Sequence, residues 1–310
     1  MTETSVKSFT TRVHGKWIML GEHAVIRGAP AIAFPVYGKY LELNWKDESG
    51  FSAKFAGERG AEFQLLFTGV FDRALEILGR PGDVELRRGL FSVESTLPVG
   101  AGLGASAALA VAVGRWFVWM GAIAESDLFD FCRKIEDLFH GESSGIDVAV
   151  AIENRGLHFQ RLGEDRKETR MRGFDPAWQP IWYISYSGVR GITSECVSQV
   201  KKLIHDDPTR GQELDSKMAR AVQEAEAVLR EDTNPDRVKA LAHAIESASS
   251  CFEEWGLAGG ELGRHMNWLR ESGAVAVKPT GSGGGGYALS LWNQRPPREI
   301  EEKLIPVFRS

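Results

Sequence analysis

The chain has 310 residues, 43% of them hydrophobic and 25% charged, with a formal net charge of −5. That length allows two domains at roughly 100–200 residues each, the composition is ordinary for a globular protein, and the acidic balance gives no electrostatic reason for nucleic-acid binding. Cys132, Cys196 and Cys251 are far apart with no C-x-x-C, which argues against a disulfide framework or zinc site and fits a reducing cytoplasm.

The N-terminus lacks an apolar h-region, so no signal peptide is expected. In G-K-W-I-M-L-G-E-H-A-V, Lys16, Glu22 and His23 stand around an apolar strand. Taken alone, a Lys at a strand start usually faces solvent and a lone His is usually structural. Val36–Trp45, rich in β-branched and aromatic residues, reads as strand. Phe63–Leu78 reads as helix, with Gly79 placed to end it. Leu90–Ser95 is a short strand leading into P-V-G-A-G-L-G-A-S-A-A-L-A at residues 98–110.

Ala105–Ala124 is about twenty residues with Arg115 as its only charge; a mid-span Arg costs roughly 2.5–3.5 kcal/mol on insertion scales. A buried core helix is the better reading than a membrane span. Ser126–His140 has apolar residues at helical spacing behind a Ser cap. Arg155–Arg172 is polar and charged, a loop or hairpin at a domain edge, and Trp178–Ser187 is again strand. Helices follow at Thr193–His205, Gln212–Arg230, Pro235–Trp255 (with Asn234-Pro235 as cap and first turn) and Glu261–Glu271. Ala274–Lys278 and Tyr287–Trp292 are strands around the glycine run Gly281–Gly286, and Pro297–Phe308 reads as a closing helix. The mixture is α+β in two domains, 1–175 and 176–310.

Gly100, Gly102 and Gly104 alternate before the apolar run that Ser106 opens. Glycine permits positive φ and close backbone approach, and a helix start adds unpaired N–H groups and partial positive charge. Together they make a phosphate cradle. The loop lacks the Lys of G-x-x-x-x-G-K-[ST], and its spacing is not G-x-G-x-x-G. The second run does contain G-x-G-x-x-G at Gly281, Gly283 and Gly286, but a strand follows it, where a dinucleotide fold needs a helix. Four successive glycines cost more entropy than a simple turn requires, so close approach to a ligand or to the other loop is expected. Gly141-Glu142-Ser143-Ser144-Gly145 has the form G-x-S-x-G, yet a helix precedes it where a nucleophile elbow needs a strand. Glu136 lies near a helix end, and Asp147 sits in the apolar stretch I-D-V-A-V-A-I, where an acid is paired or functional. Most acidic side chains are merely solvated; these two would suit phosphoryl transfer, Glu136 holding Mg²⁺ and Asp147 accepting a proton.

Four segments in this order, K-W-I-M-L-G-E-H-A-V, L-P-V-G-A-G-L-G-A-S-A-A, H-G-E-S-S-G-I-D and K-P-T-G-S-G-G-G-G, resemble the motifs of the GHMP kinase superfamily, and within it the mevalonate kinase family. They span residues 16 to 286. The resemblance implies a two-domain GHMP kinase fold: a ribosomal-protein-S5-like N-terminal domain that binds ATP and a ferredoxin-like α/β C-terminal domain. It implies an ATP- and Mg²⁺-dependent kinase acting on mevalonate, with no nucleic-acid or membrane partner and a homodimer by analogy. Pro98, Gly100, Ala101, Gly102, Leu103, Gly104, Ala105 and Ser106 would wrap the nucleotide phosphates, with Gly281, Gly283 and Gly284 beside them. Ser106 and Glu136 would hold the metal, Asp147 would face the acceptor hydroxyl, and Lys16 would stabilise its alkoxide. Glu22, His23 and Ser144 would border the acceptor. Ala105 replaces the first Ser of a Ser-Ser pair, Glu142 and Ser143 replace an Asn-Pro-like pair, and Pro279 replaces an aliphatic residue. Another kinase of the superfamily, taking phosphomevalonate or a sugar, and a catalytically silent sensor are the alternatives. Arg190 and Lys278 are the spare cations that a phosphorylated acceptor would need.

Overall fold

The computed structural model describes residues 7–140, 143–163 and 168–308, without the side chains of 138–140. Gly141 and Glu142, which belong to two of the motifs above, lie outside the described residues, as does the start of the N-terminus. In chain order the elements are β1 (Ser8–Leu20), β2 (Ala31–Lys46), β3 (Phe51–Ala56), α1 (Phe63–Ile77), β4 (Gly89–Ser95), α2 (Ala105–Trp119), α3 (Leu128–His140), α4 (Ile146–Glu153), β5 (Leu157–Leu162) and β6 (Glu168–Gly173). They continue with β7 (Ile181–Tyr186), α5 (Thr193–Asp206), α6 (Pro208–Leu229), α7 (Pro235–Glu254), α8 (Gly260–Glu271), β8 (Ala276–Thr280), β9 (Tyr287–Trp292), α9 (Arg298–Glu301) and β10 (Ile305–Pro306).

The chain divides into two compact units that are discontinuous in sequence. One comprises Met1–Gly15, Lys39–Val99 and Gly104–Asn154, the other Lys16–Gly38, Gly100–Leu103 and Arg155–Ser310. The dividing lines fall inside β1, β2 and the first glycine loop, so each unit owns one part of those segments.

In the first unit β4 pairs antiparallel with the C-terminal half of β2, Leu43 opposite Val93. It pairs parallel with β3, Phe55 opposite Val93. The inner face of this sheet, α1 and α2 share an aromatic cluster: the Phe91 ring lies 5.4 Å from Phe67, 5.3 Å from Phe71 and 5.0 Å from Trp116. Such offset and edge contacts add to simple area burial. α2 is buried nearly all round, as a core helix must be. Its one charge, Arg115, is met by oxygen: the guanidinium donates to Thr11 Oγ1, Arg12 O and Ile152 O at 3.0–3.3 Å. At Gly114 a Cβ would lie 2.6 Å from Cys132 Sγ, so glycine is what lets α3 approach α2.

In the second unit β5 pairs with the N-terminal half of β2, Ile32 opposite His158, and with β6 as an antiparallel hairpin. A second sheet has the order β10-β7-β9-β8. Tyr183, Val277, Ala288 and Trp292 of this sheet form one core with Leu262, Met266 and Leu269 of α8. Trp17 of β1 stacks on Phe34 at 5.0 Å and meets Trp182 at 5.7 Å.

Most expected elements lie within a few residues of their places; the departures have local causes. Residues 297–308 give only the four-residue α9, because Ile305 and Pro306 leave the helix to lie against Ile184 and Tyr183. Pro is tolerated there on an edge strand. α6 begins earlier than expected, at Pro208, because Asp207 caps it through Arg210 N at 2.9 Å. Ser126 does not cap α3; it sits inside a 3-10 turn, Glu125–Asp127, and the helix starts at Leu128. β3 had no sequence expectation, and neither did α4, whose alternating Val and Ala carry no helical periodicity.

Candidate active site

The phosphate loop begins where Val99 N–H donates to Glu62 Oε2 at 3.1 Å. Gly100, Gly102 and Gly104 have φ of 72°, 90° and 72°, a region closed to most side chains. Gly104 is the left-handed cap residue of α2, so the loop runs straight into a helix start, with the N–H groups that such an end leaves unpaired.

In the first unit Ser106, on the first turn of α2, donates to Glu136 Oε2 of α3 at 3.3 Å. Glu136 is buried, and burial, with the neighbouring Glu136 carboxylate adding to it, pushes the Cys132 thiol up. The turn after α3 is built by hydroxyls: Gly145 N–H donates to Ser143 Oγ at 3.1 Å, and Ile146 N–H to Ser144 Oγ at 3.3 Å. Ser143 N–H is itself fixed by Asp137 Oδ1 at 2.9 Å. Gly145 turns the chain at φ 87° into α4, which carries Asp147 half-buried in its first turn. A carboxylate at a helix N-terminus is favourably placed in the helix field.

In the second unit Lys16 is buried on β1, and its N–H donates to Leu103 O at 3.0 Å. β1 ends in a tight turn at Gly21–Ala24. There Glu22 is buried against Lys278, Nζ to Oε1 2.5 Å. Burial raises the Glu22 carboxyl, with Lys278 pulling the other way, and burial lowers the Lys278 ammonium. His23 has φ 57°, and its Nε2 is 2.8 Å from Ser282 O. A carbonyl only accepts, so Nε2 carries the proton. Burial holds this imidazole down to about 4, and the Trp255 ring lies 5.0 Å away. The 3-10 turn that follows is clamped by Arg27, whose guanidinium makes two 2.6 Å bonds to Asp215 of α6.

The second glycine run packs on the residues of the first loop that belong to the same unit. A Cβ on Gly286 would lie 2.8 Å from Ala101 O, and one on Gly281 3.5 Å from Gly102 O. Gly284 N–H donates to Leu257 O at 2.7 Å and Gly286 N–H to Val189 O at 2.8 Å. The Cδ of Arg190 lies 3.7 Å from where a Gly100 Cβ would be. The other spare cation, Lys278, is fully buried and held by Glu22. The side chains of Glu22 and His23 are thus committed to Lys278 and to the glycine run. Sequence reasoning did not find the partners that do this work, Lys278 for Glu22, Thr280 for Ile18 and Asp137 for Ser143. The signal available was the charge of Lys278 inside the apolar A-V-A-V-K.

The donor set suits hard-cation and phosphate chemistry. Mg²⁺ is commonly held by one or two carboxylates, with phosphates and waters completing the shell. The Ser106–Glu136 oxygen pair meets that need, and no group of three or more His, Cys, Asp or Glu side chains among the described residues forms a closed metal cage. No helix among the described residues is long and apolar enough to cross a membrane.

The sequence profile of the GHMP kinases N terminal domain matches residues 66–155. Over 97% of its length the chain resembles the solved L. major mevalonate kinase in complex with R-mevalonate, with TM-score 0.77 at 19% identity, covering 91% of that chain. The fold is therefore that of the GHMP kinases. The mevalonate kinase of Thermococcus sibiricus is 30% identical over 298 residues, spanning 89% of this chain and 87% of that protein. The mevalonate kinase of Pyrococcus horikoshii is 28% identical over 312 residues, spanning 94% and 91%. The chain belongs to the mevalonate kinase family.

Proposed function

We propose that this protein transfers the γ-phosphoryl group of ATP to the 5-hydroxyl of mevalonate, giving 5-phosphomevalonate. The observation that carries the reading is the loop of left-handed glycines opening α2, with Ser106 bonded to Glu136 behind it. Phosphoryl transfer proceeds through a loose transition state and asks mainly for positioning and charge stabilisation. Pro98, Ala101, Leu103 and Ala105 shape the loop whose glycine N–H groups receive the phosphates, and Gly281, Gly283 and Gly284 brace it. Ser106 and Glu136 would hold Mg²⁺, which would neutralise charge on the phosphates. Asp147 accepts the hydrogen bond of the acceptor hydroxyl, orients it and receives its proton. Lys16 favours the alkoxide that develops, and Ser144 borders the acceptor.

An ADP-release assay across mevalonate, phosphomevalonate, galactose and homoserine tests the reading. Mevalonate should give the highest kcat/KM. Preference for phosphomevalonate would move the assignment to that kinase, and silence on all four would leave a sensor. The commitment of Lys278 to Glu22 removes one of the two cations that a phosphorylated acceptor would use. Three free, buried cysteines support a cytoplasmic setting, and a homodimer is the family expectation that light scattering checks.

A further inference from the structure

Two oppositely charged side chains, Lys278 and Glu22, are buried against each other. Lys278 is 0% exposed and Glu22 is 2% exposed. Lys278 Nζ donates to Glu22 Oε1 and to Pro279 O, each at 2.5 Å, and stands 5.3 Å over the Phe252 ring. Glu22 Oε2 is sealed from solvent and has no partner in hydrogen-bond geometry among the described residues. Neither charged group is therefore presented to solvent. Taking two charges out of water is expensive, and apolar side chains of similar volume commonly do as well or better for stability. A buried pair at such a position needs another reason.

Its connections supply one. The pair joins the turn after β1 to the end of β8. Thr280, two residues past Lys278, donates to Ile18 O and accepts from Ile18 N, both at 2.9 Å. His23, one residue past Glu22, bonds Ser282 O. These three links, two buried and that of His23 part-buried, fasten the strand that carries Lys16 to the start of the glycine run. That run in turn lies against Ala101 and Gly102, and Lys16 N–H holds Leu103 O. A carboxylate–ammonium pair at hydrogen-bond distance fixes position more narrowly than apolar contact alone, because the bond is short and directional. Lys16 is also close enough to disfavour a second ammonium, and Glu22 offsets that repulsion.

We propose that Lys278 and Glu22 are a positioning pair for phosphoryl transfer: touching neither nucleotide nor acceptor, they hold Lys16 and the Gly281–Gly286 run in register with Gly100–Leu103. The kinetic part rests on the kinase reading above; the binding part does not.

The test compares Lys278→Met, Glu22→Gln and the double variant Lys278→Met/Glu22→Leu. Each single variant leaves one buried group without its counterion and should melt well below the wild type. The double variant should regain most of the wild-type Tm, because a buried pair is replaced by apolar volume. It should still bind Mg·ADP at least ~5-fold more weakly by calorimetry and turn over at least ~10-fold more slowly, within the ~10²-fold that a misplacement of about 1 Å can cost, with acceptor KM within about twofold. Recovery of Tm, Mg·ADP affinity and kcat together would overturn the proposal and make the pair structural. A rise confined to acceptor KM would also overturn it and place Glu22 on the acceptor. If the double variant does not fold, Glu22→Asp keeps both charges and withdraws the carboxylate by one methylene. Lowered kcat at unchanged acceptor KM then supports the pair, and wild-type kinetics overturns it. Wild-type protein silent on every acceptor would refute the kinase reading, while the Mg·ADP comparison would still decide the pair.

Discussion

The close approach of the two glycine runs makes Gly286→Ala an informative substitution, with Gly79→Ala as its control. Both glycines have positive φ, 80° and 66°. At Gly79, just past α1, an added Cβ meets nothing within 4 Å. Only the left-handed conformation is penalised there, about 1–2 kcal/mol for a residue with a Cβ. At Gly286 the same Cβ lies 2.8 Å from the carbonyl oxygen of Ala101. That obstacle is backbone and has no rotamer to escape into, so overpacking adds about 1–3 kcal/mol. The totals are about 1–2 kcal/mol against about 2–5 kcal/mol. The assay is the thermal midpoint of the two variants beside the wild type, together with Mg·ADP affinity by calorimetry. Gly286→Ala should lower the midpoint about twice as far as Gly79→Ala and should weaken nucleotide binding, because Ala101 belongs to the phosphate loop; Gly79→Ala should leave affinity unchanged. Equal midpoints and equal affinities for the two variants would refute the close packing of the runs.

Three further outcomes follow from the site. Asp147→Asn should reduce turnover by at least ~10², the scale of a lost general base, while Mg·ADP still binds; near-normal turnover would remove Asp147 from the chemistry. Ser106→Ala should raise the KM for Mg·ATP more than that for mevalonate, and unchanged values of both KM and kcat would contradict its place on the metal. His23 is a base whose pKa is depressed in the fold to about 4, so the unfolded chain binds its proton more tightly. Its contribution to stability is complete above about pH 6.5 and falls as pH drops toward 4, by up to about 3 kcal/mol. His23→Gln keeps a donor for Ser282 O and should show a flatter loss of Tm between about pH 7 and pH 5; slopes equal to the wild type would refute the assignment.

The elements legible in the sequence were those whose signal is local. The Asn234-Pro235 cap is seen as Asn234 Oδ1 accepting from Arg237 N at 2.9 Å. Gly79 follows α1 as a left-handed stop, and Arg155–Arg172 covers the antiparallel pair of β5 and β6 but for its last residue, Gly173. Elements decided by distant partners were not legible. β10 exists because β7 offers Ile184 and Tyr183 an edge neighbour, and β3 because β4 does so in parallel register. α4 forms although Ile-Asp-Val-Ala-Val-Ala-Ile alternates, since Gly145 and two serine hydroxyls start it. The site divides in the same way. Glycine spacing announced the phosphate loop, because conformational freedom is written in residue type. The buried pair was invisible, because Glu22 and Lys278 are 256 positions apart and nothing in either segment names the other.

That separation has a consequence during synthesis. The bonds between Ile18 and Thr280 close across 262 residues. A ribosome adds about 5–20 residues per second, so the first strand of the second unit emerges roughly 13 to 50 s before its clasp on β8 exists. In that interval Trp17, fully buried in the finished protein, has Phe34 beside it before Trp182 and Phe308 are made. A chain stalled before Thr280 therefore lacks both hydrogen bonds that fasten Ile18.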